Sequence, residues 1–342
     1  MVLKFMQAGS AAIAAFGACT FPGQAQSIAE FYKAKGLVIL VGIEPGTGYD
    51  LYGRTLSRHI GKHLPGNPTV VVNNMPGASG LVAFNWLNNV APKDGSTFGI
   101  ASFTVPFEPL FGNKRALFDA TKMGWIGNMD SSVSVCAVRT DVGINSFDDM
   151  MRKEVVIGGT GIAGPISQSP LALKNLVGAK IKLIEGYKGT ASVKLAIERS
   201  EVQGICGVSF STIRTQYREL MEGGTVKVLV HLGSKPYPDL PGVPYVYQFA
   251  KTAEDLQVYD LIFGPQGLGR SFAAPPGVPP ERLAALRKAF TDAVSDPALI
   301  AEAEKTGLDL RPQSGQDVQA FIERAYASPP EAIERARKAL DP

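Results

Sequence analysis

The chain is poor in the residues that carry most protein chemistry. Its 342 residues include three histidines, three cysteines and two tryptophans, and 34 basic residues against 31 acidic ones leave a net charge of +3. Three cysteines cannot staple so long a chain, which excludes a disulfide scaffold. Balanced charge gives no dense basic face, so nucleic acid is not an expected partner. No uninterrupted apolar run of about 18 residues occurs, and no transmembrane helix is expected. His59 and His63 are spaced i, i+4, but their stretch is rich in Arg and Lys with no carboxylate close by in sequence. A solvated helix face is expected there, with no metal and no cofactor.

What the chain does have is apolar residue (45%), 37 glycines and 24 prolines. That composition excludes disorder, and the length suits two domains, each with its own core. Met1–Ala25 carries one charge, Lys4, then the small and apolar run Ala8 to Phe21 and the exit Gly23-Gln24-Ala25. This reads as a signal peptide over 1–25, and hence export to the periplasm; the plainer alternative is a short first helix. Cys19 as a lipid-attachment site is disfavoured, because Phe16-Gly17-Ala18 matches the required box poorly.

Strands and helices then alternate. Leu37–Ile43 is a continuous apolar run ending in Glu44-Pro45-Gly46-Thr47-Gly48, as expected of a buried parallel strand entering a turn. Tyr52, Leu56, Ile60 and Leu64 make one helical stripe. Val70–Val72 and Phe98–Ala101 are further strands, with a helix through Leu81, Phe84 and Leu87 between them. This βαβαβ pattern predicts a parallel sheet covered on both faces. A second such unit runs from the strand Val133–Val138 through Val226–Leu232, with the glycine turn Gly158–Gly164 inside it. Pro236–Pro244 reads as a linker, and the helices that follow have no strands of their own, so they are expected to return to the first lobe. The predicted division is 26–130 with 250–342 for a discontinuous first lobe, and 131–249 for the second.

Catalytic motifs fail one by one. Gly48-x-x-x-x-Gly53-Arg54-Thr55 lacks the lysine of a phosphate-binding loop, and Gly53 and Arg54 fall inside the helical stripe. Leu51 stands where a dinucleotide fingerprint needs its third glycine, and no Gly-x-Ser-x-Gly elbow occurs. No acid–base pair suggests itself, so the chain is not expected to be an enzyme. What remains is a set of glycine turns, each following a strand and preceding a helix. In an open parallel sheet such turns lie at the carboxyl ends of the strands, where ligands bind. Glycine lets backbone approach a ligand, and helix-start amides favour an anion. With so small a net charge, the expectation is that these amides meet the ligand's charge locally.

The segment Ile43-Glu44-Pro45-Gly46-Thr47-Gly48-Tyr49-Asp50-Leu51-Tyr52-Gly53-Arg54 resembles the first βα segment of the tripartite tricarboxylate transporter receptors, which include the Bug solute receptors. Val71-Val72-Asn73-Asn74-Met75-Pro76-Gly77-Ala78-Ser79-Gly80 is similar to their Asn-x-Pro-Gly-Ala-Gly-Gly loop, and Pro92-Lys93-Asp94-Gly95 to their Pro-Asp-Gly turn. Tyr187-Lys188-Gly189, Leu240-Pro241-Gly242-Val243-Pro244 and Pro275-Pro276-Gly277-Val278-Pro279 follow in family order. The resemblance implies a two-lobed, type II-like periplasmic-binding-protein fold, each lobe a mainly parallel α/β sheet flanked by helices. It also implies a monomer that captures a small carboxylate and delivers it to integral membrane subunits of a tripartite transporter.

Carried over, Gly46, Thr47, Gly48 and Tyr49 of the first loop and Ala78 and Ser79 of the second would contact the anion. Phe103, Thr104, Thr160, Gly161 and Ser209 would complete the cleft, while Asp50 would orient the first loop. Two departures concern Thr47, in place of a family glycine, and Gly53, in place of alanine. A third is Ile205-Cys206-Gly207-Val208-Ser209, where many members have Asp; it disfavours a ligand with an ammonium group. A carboxylate with apolar or aromatic parts is expected instead, with Tyr49, Phe103 and Phe107 near it in sequence. The alternative functions are a sensor subunit feeding a signalling kinase and, more remotely, an exported α/β enzyme. Cys136 and Cys206 both fall on predicted strands, and the sequence leaves open whether they are bonded or are two buried thiols.

Overall fold

A computed structural model describes Met1 and residues 27–131 and 133–342. The signal-peptide reading of 1–25, with its Cys19 question, therefore lies outside the described residues apart from Met1. Eleven strands form two sheets among the described residues. β1 (Leu37–Val41), β2 (Val70–Asn74), β3 (Thr97–Ile100) and β4 (Gly124–Asn128) belong to the first; β5 (Ser134–Arg139), β6 (Val155–Gly158), β7 (Ile181–Ile184), β8 (Gly204–Ser209) and β9 (Val226–His231) to the second. β10 (Ser271–Ala274) and β11 (Gln313–Ser314) return to the first.

The two sheets follow one plan. Their orders are β11-β4-β10-β3-β1-β2 and β7-β6-β8-β5-β9. In the first, β1, β2 and β3 run parallel, and β10 is inserted antiparallel between β3 and β4. In the second, β6, β7 and β8 run parallel, and β5 is inserted antiparallel between β8 and β9. Each inserted strand is the first that the chain lays down after crossing from the other lobe. β4, β10 and β11 have no counterpart among the predicted strands, since Gly-Trp-Ile-Gly-Asn and Ser-Phe-Ala-Ala offer neither alternation nor a branched run.

Thirteen α-helices cover the sheets among the described residues. In chain order they are α1 (Ile28–Lys35), α2 (Gly48–Ile60), α3 (Leu81–Asn89), α4 (Phe147–Arg152), α5 (Pro165–Ala172), α6 (Thr190–Glu198), α7 (Phe210–Gln216) and α8 (Arg218–Glu222). α9 (Ala253–Ile262), α10 (Pro280–Val294), α11 (Pro297–Thr306), α12 (Gly315–Tyr326) and α13 (Pro330–Ala339) complete the set. Local sequence sets several starts: Ser27/Glu30, Ser146/Asp149, Thr252/Asp255 and Ser314/Asp317 close capping boxes. The stripe Tyr52, Leu56 and Ile60 of α2 is fully buried against Ile39, Val41 and Phe290 in one core of the first lobe. A second core, around Trp125, Phe84, Val318 and Ile322, lies between α3 and α12.

The carboxy-terminal helices do not all go where the sequence suggested. α10, α11 and α12 pack on the first sheet. α9 and α13 pack with the second, their Val258, Ile262, Ala336 and Ala339 sharing a core with Val138, Ile157 and Val230. The expectation that 250–342 returns whole to the first lobe is therefore corrected. Small alanines on α13 let it lie close against α9, a match of faces that no single-helix pattern reveals.

His59 and His63 are also corrected. Their carboxylate partners come from the far end of the chain: His59 Nε2 lies 2.9 Å from Glu302, and His63 Nε2 lies 2.8 Å from Asp296. The face is an ion-paired seam against α11, not a solvated one. Cys136 and Cys206 face each other across β5 and β8 and form a disulfide.

Candidate ligand cleft between the lobes

Because β1, β2 and β3 run parallel, the loops that follow them leave the same edge of the first sheet; the loops after β6, β7 and β8 do so in the second. These two sets of loops enclose a cavity of ≈ 380 Å³. The first loop is held from below by Asp50. Its carboxylate accepts from the Gly46 N–H at 2.9 Å, from Arg54 Nε at 2.9 Å and from Asn74 Nδ2 at 2.9 Å. Burial would raise the Asp50 pKa, but these donors and the Arg54 charge outweigh it and hold the carboxyl below its ordinary value. Asn74 in turn donates to the Ile43 carbonyl at 3.0 Å, tying the loop to β2. Asp50 thus orients the loop without lining the cavity.

The second loop is strained. Gly77, Ala78, Ser79 and Gly80 all have positive φ (145°, 46°, 57° and 98°). Two of the four carry side chains that disfavour this region, which is a backbone cost found at ligand clamps. Gly80 admits no substitute, since a methyl group there would lie 2.5 Å from Ala101 Cβ. Neither Thr47, Gly80 nor Gly164, the residues preceding α2, α3 and α5, provides a side-chain acceptor to its helix. Of the three, only α2 opens its partial positive charge to the cavity, through Thr47, Gly48 and Tyr49: the first amides of α3 turn back onto the Gly77 and Ala78 carbonyls, and α5 begins with Pro165, which has no N–H.

Of the eleven predicted site residues, Thr47, Gly48, Tyr49, Ala78, Ser79, Phe103, Thr160 and Ser209 line this cavity. Gly46, Thr104 and Gly161 do not. Gly46 gives its N–H to Asp50. Thr104 is a bridge between lobes, its hydroxyl donating to the Ala163 carbonyl at 2.7 Å. The Gly161 N–H is taken by Ser167 Oγ at 3.0 Å. Phe107 is core: it is fully buried against Phe321.

Sequence reasoning missed two features. The loop Gly186–Thr190 lines the cavity, bringing Tyr187 and the exposed Lys188. Arg270, just before β10, lines it too and is only 3% exposed. Its guanidinium carbon sits 4.2 Å from the Tyr49 ring centre and 5.0 Å from that of Tyr52. The expectation that backbone amides alone meet a ligand's charge is thereby corrected: two cations share the cavity wall, against one acid, the exposed Glu44. The only cue in sequence was isolation, since Arg270 is the one charge between Asp260 and Glu281.

Further bridges join the lobes. Gln168 Nε2 donates to Glu108 at 2.6 Å, and Gln216 Nε2 reaches the Gly46 carbonyl at 3.4 Å. Among the described residues no cluster of three or more His, Cys, Asp or Glu is placed to hold a metal, and no helix is long and apolar enough to cross a membrane.

Two α/β lobes, each with one reversed inserted strand, closing on a cavity lined by the loops at their facing edges define a solute-binding protein. Residues 53–336 match the family model described as "Tripartite tricarboxylate transporter family receptor", and the chain belongs to this family. The UPF0065 protein in gbd 5'region of Cupriavidus necator is 25% identical over 295 residues, 84% of this chain and 83% of that protein. MatC (Rpa3494) of Rhodopseudomonas palustris, with bound malate, shares the fold with a TM-score of 0.66 at 17% identity, over 90% of this chain and 99% of its own. R. palustris Rpa4515, with adipate, gives 0.66 at 18% identity over 88% and 97%.

Proposed function

We propose that the chain is a periplasmic receptor that captures a small carboxylate between its lobes and hands it to the membrane subunits of a tripartite transporter. The observation that carries this reading is the uncapped start of α2, whose Thr47, Gly48 and Tyr49 line the cavity and whose partial positive charge attracts an anion and repels a cation. The cavity is at the lower end of the size range of ligand pockets, which suits a small solute. Tyr49, Phe103, Tyr187 and Ile166 supply apolar wall, so the ligand carries hydrocarbon or aromatic surface beside its carboxylate. The malate and adipate bound to the two neighbours are both small dicarboxylates and agree with this reading.

Titration calorimetry against a panel of aliphatic dicarboxylates, aromatic carboxylates, free amino acids and sugars tests it. Carboxylates without an ammonium group are expected to bind, with negative heat-capacity change from the buried apolar wall. Binding of sugars or free amino acids alone would overturn the reading.

A further inference from the structure

The geometry points to Arg270 as the residue that makes this receptor prefer an anionic solute over its neutral analogue, by direct contact with the ligand's charged group. This rests on the carboxylate reading above and adds the residue that enforces it. Arg270 is held as a rigid fixture. Its backbone N–H donates to Asn128 Oδ1 at 2.8 Å, and its Nη1 donates to the Gly269 carbonyl at 2.8 Å. Tyr49 and Tyr52 fix the plane of the guanidinium, and the Tyr52 hydroxyl is itself anchored on the Asp309 carbonyl at 2.8 Å.

Within this clamp the guanidinium is undersatisfied. Among the described residues Nε has no hydrogen-bond partner and is sealed from solvent. Nη2 lies at the cavity's floor, close enough to Gly48 that a methyl group there would meet it at 3.0 Å and Thr212 Oγ1 at 3.2 Å. Gly48 belongs to the first lobe and Thr212 to the second, so the cation stands where the two lobes meet. It also stands under the first turn of α2, whose N-terminal charge has the same sign. Asp130, also buried, acts with Arg270 on the Tyr52 hydroxyl, the two in opposite senses. A buried, preorganised guanidinium beside an uncapped helix start is completed by an anion and by nothing neutral.

Adipate, malate, benzoate and the matching amides serve as probes in calorimetry on the wild type, Arg270→Gln, Arg270→Lys and Gly48→Ala, with circular dichroism confirming that each variant is folded. The wild type is expected to bind at least one acid far more tightly than its amide. R270Q loses about 30-fold or more of the acid affinity and closes the gap to the amide, as removal of a charge-assisted hydrogen bond requires. R270K, which keeps the charge without the fork, loses about tenfold. G48A displaces Nη2 and weakens the acid selectively, and it stands in for R270Q if that protein does not fold. Equal loss of acid and amide affinity would mean that Arg270 acts only as a brace, and an R270Q that binds acid like the wild type would do the same; either overturns the assignment while leaving the carboxylate reading intact. A wild type that binds none of the acids overturns both.

Discussion

Breaking the bond between Cys136 and Cys206 should destabilise the second lobe by an amount that can be worked out beforehand. The two residues are 70 apart in sequence. Releasing a loop of that length restores chain entropy worth about 4 kcal/mol to the unfolded state. Both side chains are completely buried in a core with Val138, Leu229 and Val230, so replacement by alanine adds a small packing loss. The strand ladder between β5 and β8 remains, so the lobe should fold but melt earlier, by roughly 10 °C. Both tryptophans, Trp86 and Trp125, lie in the first lobe, one on α3 and one on β4. Far-ultraviolet circular dichroism therefore reports both lobes, whereas tryptophan fluorescence reports the first. Guanidinium unfolding of the wild type, of the wild type under reductant and of Cys136→Ala/Cys206→Ala should show the dichroism midpoint falling in the last two samples. Coincident midpoints in all three would refute the loop-entropy reasoning. Alkylation of Cys136 or Cys206 in denatured, unreduced protein would refute the bond itself.

Two predictions concern pH. Burial lowers the His231 pKa to about 4, with its Nε2 unpartnered among the described residues, so the fold favours the neutral ring. Its stabilisation is complete above the unfolded value near 6.5 and is lost as pH falls toward 4, up to about 3 kcal/mol. His231→Phe keeps the ring stacked near Tyr245 and should flatten thermal stability across that window; an unchanged acid slope would count against the assignment. Glu108 acts in the opposite sense. Burial raises its pKa, against the partial relief given by Asn113 and Gln168, so the protonated acid is favoured in the fold. That stabilisation is present below the ordinary carboxyl value and disappears as pH rises through the raised one. Glu108→Gln should remove this decline in scanning calorimetry as pH rises above the ordinary carboxyl value, and a variant with the wild-type profile would show that Glu108 is not its source.

The sequence was most legible where local chemistry is self-contained. The run Leu37–Val41 followed by Pro45-Gly46 declares a strand and its turn without help from the rest of the chain, and the same holds for Val155–Gly158. Capping boxes such as Ser314/Asp317 place helix starts to the residue. Legibility failed where meaning depends on a distant partner. β10 is four residues of Ser-Phe-Ala-Ala, recognisable as a strand only once β3 and β4 flank it. Glu302 and Asp296 lie more than 230 residues from the histidines they bind. Arg270 belongs to no motif; the Tyr49 and Tyr52 rings that hold it come from the far side of both crossovers. The cleft's glycine loops could thus be read in order, while the charge at its floor could not.

The way the carboxy terminus closes the fold bears on how the protein is made. The first sheet lacks its inserted strand until β10 exists, and the second lobe lacks part of its core until α13, the last helix, has docked. A chain emerging amino-terminus first therefore cannot finish either lobe before nearly all of it has been synthesised. The architecture thus defers the stability of both lobes to the last part of the chain to be made.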